Sequence, residues 1–111
     1  GTVPSATVRL LIDGQAKQES AWGDGPVDAA YRAIDKATGT TAKVEEYDIR
    51  AVTSGSQAMG EVTVQVKAQG RTLTGRGAST DIIEASAKAY IDALNRLAAA
   101  TGIQRQHPQA V

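Results

Sequence analysis

The same order of signals runs twice along this chain: strands with alternating faces, a Gly-x-Gly pair, then an apolar stripe at helical spacing. A period of two fits a pleated strand with one buried face, and a period near 3.6 fits a helix. Two such units point to hairpins backed by helices, because each sheet must bury its apolar face against something.

In the first unit Val8, Leu10 and Ile12 alternate with Thr7, Arg9 and Asp13, which predicts a half-buried strand over residues 6–13. Asp13-Gly14 marks a tight hairpin turn, since both residues tolerate positive φ. A second strand is expected over 15–22. Gly23-Asp24-Gly25-Pro26 breaks it, with Pro26 at a first helical position. Val27, Ala30, Tyr31 and Ile34 then form one helix face, with Asp28, Arg32, Asp35 and Lys36 opposite, and Gly39 ends the helix.

In the second unit Tyr47, Ile49, Ala51 and Thr53 alternate with Asp48, Arg50 and Val52, and Ser54-Gly55-Ser56-Gln57 reads as a loop. Val62, Val64 and Val66 give a strand with one apolar face, and Gln69-Gly70 turns into a strand over 71–74. Gly75-Arg76-Gly77 is expected as a second break, with a helix starting around 79–81. Its stripe is Ile83, Ala87, Tyr90, Leu94 and Leu97, Asp81 and Glu84 have the spacing of a capping box, and Gly102 closes it. The fold class expected is α+β: two repeated hairpin/strand-plus-helix (βββα-like) units, antiparallel sheets each covered by one helix. Residues 1–103 read as a single domain and 104–111, polar and containing Pro108, as a flexible tail.

A length of 111 residues suits one core. With one Trp, three Tyr and no Phe, that core must be built from Ala, Val, Ile and Leu, and a partner or ligand would add noticeably to its stability. Twelve basic and twelve acidic residues cancel without a basic stripe, which argues against nucleic acid. The absence of Cys excludes disulfides and thiolate metal sites and fits a reducing compartment. No apolar run nears the roughly 20 residues of a membrane span, and no secretory leader is evident. The expectation is a soluble, cytoplasmic domain with no nucleic-acid or membrane partner.

Two readings stand for the glycine pairs. Glycine lets backbone turn sharply, so both pairs can be strand-to-helix turns alone. Alternatively, the unpaired N–H groups and partial positive charge of the helix start behind each pair suit a carboxylate. A dinucleotide fingerprint fails, because Asp28 and Thr80 stand where its third glycine belongs, and no Gly-Lys-Ser/Thr follows either pair.

Four ordered blocks then carry a family likeness. They are Gly23-Asp24-Gly25-Pro26-Val27-Asp28-Ala29-Ala30 with Tyr47 after it, Ser54-Gly55-Ser56-Gln57-Ala58, the run from Gly75-Arg76-Gly77 through Asp81-Ile82-Ile83-Glu84 to Tyr90, and Leu94-Asn95. Together, across most of residues 5–97, the chain resembles the carboxy-terminal regulatory domain of α-isopropylmalate synthase. The resemblance implies a domain that follows a catalytic (β/α)8 barrel condensing acetyl-CoA with a 2-oxo acid. It implies a homodimer in which regulatory domains pair, and leucine as a feedback effector bound near that pairing. The implied effector pocket comprises Gly23, Gly25, Pro26 and Val27, with Val44, Tyr47, Ala51, Ala58 and Ile82. No catalytic residue, metal or cofactor is implied in this domain. Small changes in such a pocket would suit isoleucine instead, as in the related citramalate synthases. A dimerisation module without effector is the structural alternative.

Other residues admit plainer readings. Asp28 and Asp81 read as helix-start acids, although a carboxylate pair also suggests acid–base chemistry, or one acceptor for an effector's ammonium group. His107, the single histidine, reads as a surface bystander. Tyr31 and Tyr47 read as core-edge residues, Tyr47 with a second role in the pocket. Trp22 is either packed or at an interface. Ala85, Ala89 and Ala93 either admit a second helix or face their own sheet.

Overall fold

The computed structural model describes residues 2–102; the expected tail at 104–111, with His107, lies outside them. β1 (Ser5–Ile12) and β2 (Gln15–Trp22) form an antiparallel hairpin, followed by α1 (Pro26–Thr38). β3 (Lys43–Ser54), β4 (Gln57–Ala68) and β5 (Arg71–Ser79) form a three-stranded antiparallel sheet, followed by α2 (Ile82–Thr101). The α+β class holds, and each helix covers its own sheet: α1 lies on β1 and β2, α2 on β4 and β5. The first unit carries two strands, the second three. No helix among the described residues is long and apolar enough to cross a membrane.

Local chemistry explains the turns. Asp13 and Gly14 have φ of 51° and 79°, the paired positive values of a hairpin turn whose twist matches its strands. Ser54 pairs directly with Gln57, so the expected four-residue loop is a hairpin turn with only Gly55 and Ser56 between strands. β3 also starts earlier than the alternation around Tyr47 suggested, at Lys43. The register shifts between Val44 and Glu46, and that extra residue hid the strand's first turn of alternation.

The core joins Leu10 and Ile12 of β1, Tyr31 and Ile34 of α1, Val62, Val64 and Val66 of β4, and Tyr90 and Leu94 of α2. The rings of Tyr31 and Tyr90 stack with centroids 4.3 Å apart, tying the two helices together. Of the stripe expected on α2, Ala87, Tyr90, Leu94 and Leu97 are buried, while Ile83 is exposed. Ala85, Ala89 and Ala93 are fully buried as well. The helix is therefore covered on more than one side.

Gly75-Arg76-Gly77 is not a break: it lies within β5, which runs on to Ser79. Gly75 pairs with Val64 and Gly77 with Val62, so both glycines face α2. A Cβ on Gly77 would stand 2.6 Å from Ala85 O and Ala89 N; one on Gly75 would stand 2.6 Å from Ala93 N and closer still to Ala89 O. These glycines let the backbones of strand and helix touch. Ala85, Ala89 and Ala93 thus face their own sheet.

Candidate functional site

The two helix entrances differ in chemistry. At α2, Asp81 is the N-cap, and its carboxylate accepts from Ile83 N (2.8 Å) and Glu84 N (3.2 Å). The expected cap is there, but the reciprocal half of the box is not made by Glu84. Asp81 N donates to Ser79 Oγ, and Glu84 pairs with Lys88 at 3.2 Å. This entrance is closed by the protein's own carboxylate, so it offers no anion site.

At α1 the N-cap is Gly25, with extended backbone (φ −154°, ψ 176°) and no side-chain cap. Pro26 follows at the first helical position. The first intrahelical bond runs from Ala29 N to Gly25 O at 2.9 Å. The amides of Val27 and Asp28 precede it and receive no side-chain acceptor. A Cβ on Gly25 would meet nothing within 4 Å. Gly23 is different: a Cβ there would stand 2.8 Å from Ala29 Cα, nearer still to Ala29 N, and 2.6 Å from Asp28 Oδ2. Gly23 N also donates to Pro4 O at 3.1 Å, which locks the chain against the start of β1. Asp28 Oδ2 accepts from Asp24 N at 2.8 Å and from Arg32 Nε at 3.0 Å. Each of the two candidate acids is thus engaged at its own helix start.

The other candidates share one side of the three-stranded sheet, the side that faces α2. Val44 pairs with Val66, Tyr47 with Val64, Ala51 with Gly60 and Ala58 with Thr53. Gly60 lies under the Cδ1 of Ile82, the first residue of α2, and this brings Ile82 beside Ala51. Val27, Val44 and Ile82 all pack against the core cluster. α2 covers β5 and β4 and leaves β3 largely open, so Tyr47 (38%) and Ile49 (48%) stay exposed on an apolar strip.

One residue that the sequence reading passed over joins these pieces. Ser86 is fully buried; its Oγ donates to Ile82 O (2.7 Å) and shares a 2.6 Å hydrogen bond with Tyr47 Oη. Tyr31 Oη donates to Ser86 O at 2.9 Å. A second polar pair lies on the other side of the stacked tyrosines, where Tyr90 Oη donates to Asp35 Oδ1 at 2.6 Å. Burial pushes the Asp35 carboxyl up to about 6, against the lowering effect of the Tyr90 hydrogen bond and of Arg32. Burial also holds the Tyr31 and Tyr90 hydroxyls above the usual tyrosine range, so both remain donors at ordinary pH.

Three clefts flank these groups. One of about 660 Å³ lies on the outer, polar face of the larger sheet, around Asp48, Arg50, Glu61 and Arg76. One of about 420 Å³ lies between β2 and α1, beside Trp22, Arg32 and Lys36; Trp22 is exposed, not packed. One of about 250 Å³ lies between β1 and α2, around Leu10, Ile34, Ile83 and Ile91. None of these three joins the α1 entrance to the β3 strip. Their connection runs through Ser86.

Residues 1–98 match the family model described as the LeuA allosteric (dimerisation) domain. The chain is 55% identical over 96 residues to a 2-isopropylmalate synthase of Carboxydothermus hydrogenoformans, covering 86% of this chain and 19% of that protein. It is 53% identical over 98 residues to one of Pyrococcus furiosus, covering 87% of this chain and 20% of that protein. It is 48% identical over 110 residues to one of Hydrogenovibrio crunogenus, covering 99% and 21%. The chain spans about a fifth of the length of these relatives.

Proposed function

Because the chain belongs to the family of LeuA allosteric (dimerisation) domains, we propose that it senses leucine as the feedback effector of a 2-isopropylmalate synthase. The observation that carries this reading is the α1 entrance, where no side chain caps the amides of Val27 and Asp28. A carboxylate accepts hydrogen bonds from such amides and gains from the helix dipole. The isobutyl group lies against Val27, Ala51 and Ile82, with Tyr47 as the polar edge. Small and branched walls suit it, and the synthase names of the relatives favour leucine over isoleucine.

Dimerisation completes the reading. The β3 strip carries Tyr47 and Ile49, exposed and apolar, and a second copy of the chain would remove them from water. The acyl transfer is placed in a catalytic barrel elsewhere in the parent polypeptide, and this domain supplies regulation.

Calorimetry of the chain against leucine, isoleucine and valine tests the proposal. One leucine per chain is expected, because only one of the two helix entrances is uncapped. Valine, one methylene shorter, should bind at least about tenfold more weakly, at the lower end of what a missing methylene costs. No heat with any of the three ends the sensing claim.

A further inference from the structure

Ser86 occupies an unusual position among the buried residues: it is the one polar side chain at 0% exposure among those described, and it is bonded on both its hydroxyl and its carbonyl. Apart from Ala58, which is on β4 and pairs with β3, the candidate effector residues lie on or beside three elements that share no backbone hydrogen bonds with one another. Pro26 and Val27 are on α1, Val44, Tyr47 and Ala51 on β3, and Ile82 on α2. Ser86 touches all three. Its hydroxyl holds Tyr47 of β3 and the carbonyl of Ile82, one turn earlier on α2. Its carbonyl takes the hydroxyl of Tyr31, one turn after Val27 on α1.

We propose that Ser86 is the positioning residue of the effector site, fixing the separation of the α1 entrance, the β3 wall and Ile82. The inference rests on the effector reading above and deepens it. Ser86 does not touch the effector. A hydroxyl bonded to the carbonyl four residues back is fixed in one rotamer, so its second bond aims Tyr47 at one place. Tyr47 is otherwise half exposed on an uncovered strand, where nothing else among its hydrogen bonds restrains the ring. Positioning by so short a path transmits small displacements, and recognition of an aliphatic side chain is sensitive to them.

The test is a double-mutant cycle on leucine affinity in the full chain, with Ser86→Ala, Tyr47→Phe and the pair. Tyr47→Phe sits at a part-exposed position and keeps the ring, so it reports even where Ser86→Ala lowers stability. Each single variant should raise the leucine Kd about tenfold, and the pair should raise it no further, since both remove the same bond. A merely structural serine would lower the unfolding midpoint and leave the Kd of the folded chain unchanged. Wild-type Kd in both singles, or fully additive losses in the pair, overturns the inference while the effector reading stands. A wild-type chain that binds none of the three amino acids overturns the effector reading itself, and the inference with it.

Discussion

Gly25→Asp separates docking from folding at a single position. The backbone there is extended, which any residue adopts, and a Cβ meets nothing within 4 Å. The substitution therefore fits. Its carboxylate would cap Val27 N and Asp28 N just as Asp81 caps Ile83 N and Glu84 N at 2.8 and 3.2 Å. Compared with Gly, an Asp cap is worth a few tenths of a kcal/mol, and the stiffer unfolded chain adds about 0.4–1 kcal/mol. Repulsion from the nearby Asp24 and Asp28 offsets part of this. Stability should stay level or rise by up to about 1 kcal/mol. Binding should collapse, because the new carboxylate occupies the amides the effector needs. Losing two charge-assisted hydrogen bonds of at least about 1.5 kcal/mol each weakens leucine by about two orders of magnitude. Calorimetry and urea unfolding on one preparation read both quantities, with Gly25→Ala as a control that adds a methyl and no acceptor. If Gly25→Asp is folded and binds leucine like wild type, the amides of α1 are not the docking site. If it is unfolded, the account of the open N-cap is wrong.

Two further expectations concern the scaffold. Gly75→Ala sets a methyl against the backbone of α2, 2.6 Å from Ala93 N; overpacking of this kind costs roughly 3 kcal/mol, a drop of about 12 °C or more in Tm, and an unchanged melting curve would refute the close-contact argument. Asp35 should make stability depend on pH, since its folded value of about 6 lies above the ordinary 3.8. Between those two values the folded chain holds a proton that the unfolded chain has lost, so stability is greatest below the lower value, falls as pH rises, and levels off above about 6. Denaturant midpoints at either end of that window should differ in wild type and differ less in Asp35→Asn; identical profiles would remove Asp35 from the account.

The strands, helices and caps were legible where the signal is local. Asp13-Gly14, Pro26 and Asp81 act on neighbouring backbone, and each does in the structure what its chemistry suggested. The two Gly-x-Gly pairs show where local reading stops. Pro26 follows Gly25 and cannot donate to a strand ladder, so the first pair ends a strand. Ala78 and Ser79 follow Gly77 and continue the ladder, pairing with Glu61 and Gly60. Gly75 and Gly77 lie two apart and so share a face, and the small surface opposite them is Ala85, Ala89 and Ala93. Strand and helix patterns had to be read against each other to see it. Of the candidate site, Val44, Tyr47, Ala51, Ala58 and Ile82 come to one side of one sheet, with the α1 entrance linked to them through Ser86. Ser86 itself was hidden, because its tyrosine partners lie 55 and 39 residues away in the chain.

The repeat leaves one helix entrance open and the other closed. Both helices begin after a strand, and both present amides at their first turn. In the second unit Asp81 satisfies those amides, and Gly75 and Gly77 let the helix lie close against its strand. In the first unit Gly25 supplies no acceptor, and its sheet has only two strands. The less satisfied unit is the one a ligand can stabilise most, since binding energy gained at an uncapped terminus is not offset by displacing an internal cap. Under the proposed reading a ligand at α1 would reach the second unit through Tyr31, whose hydroxyl donates to Ser86 O and whose ring stacks on Tyr90. The inequality between the units matters to that reading, because two equally capped units would leave no unsatisfied amides to reward an effector's carboxylate.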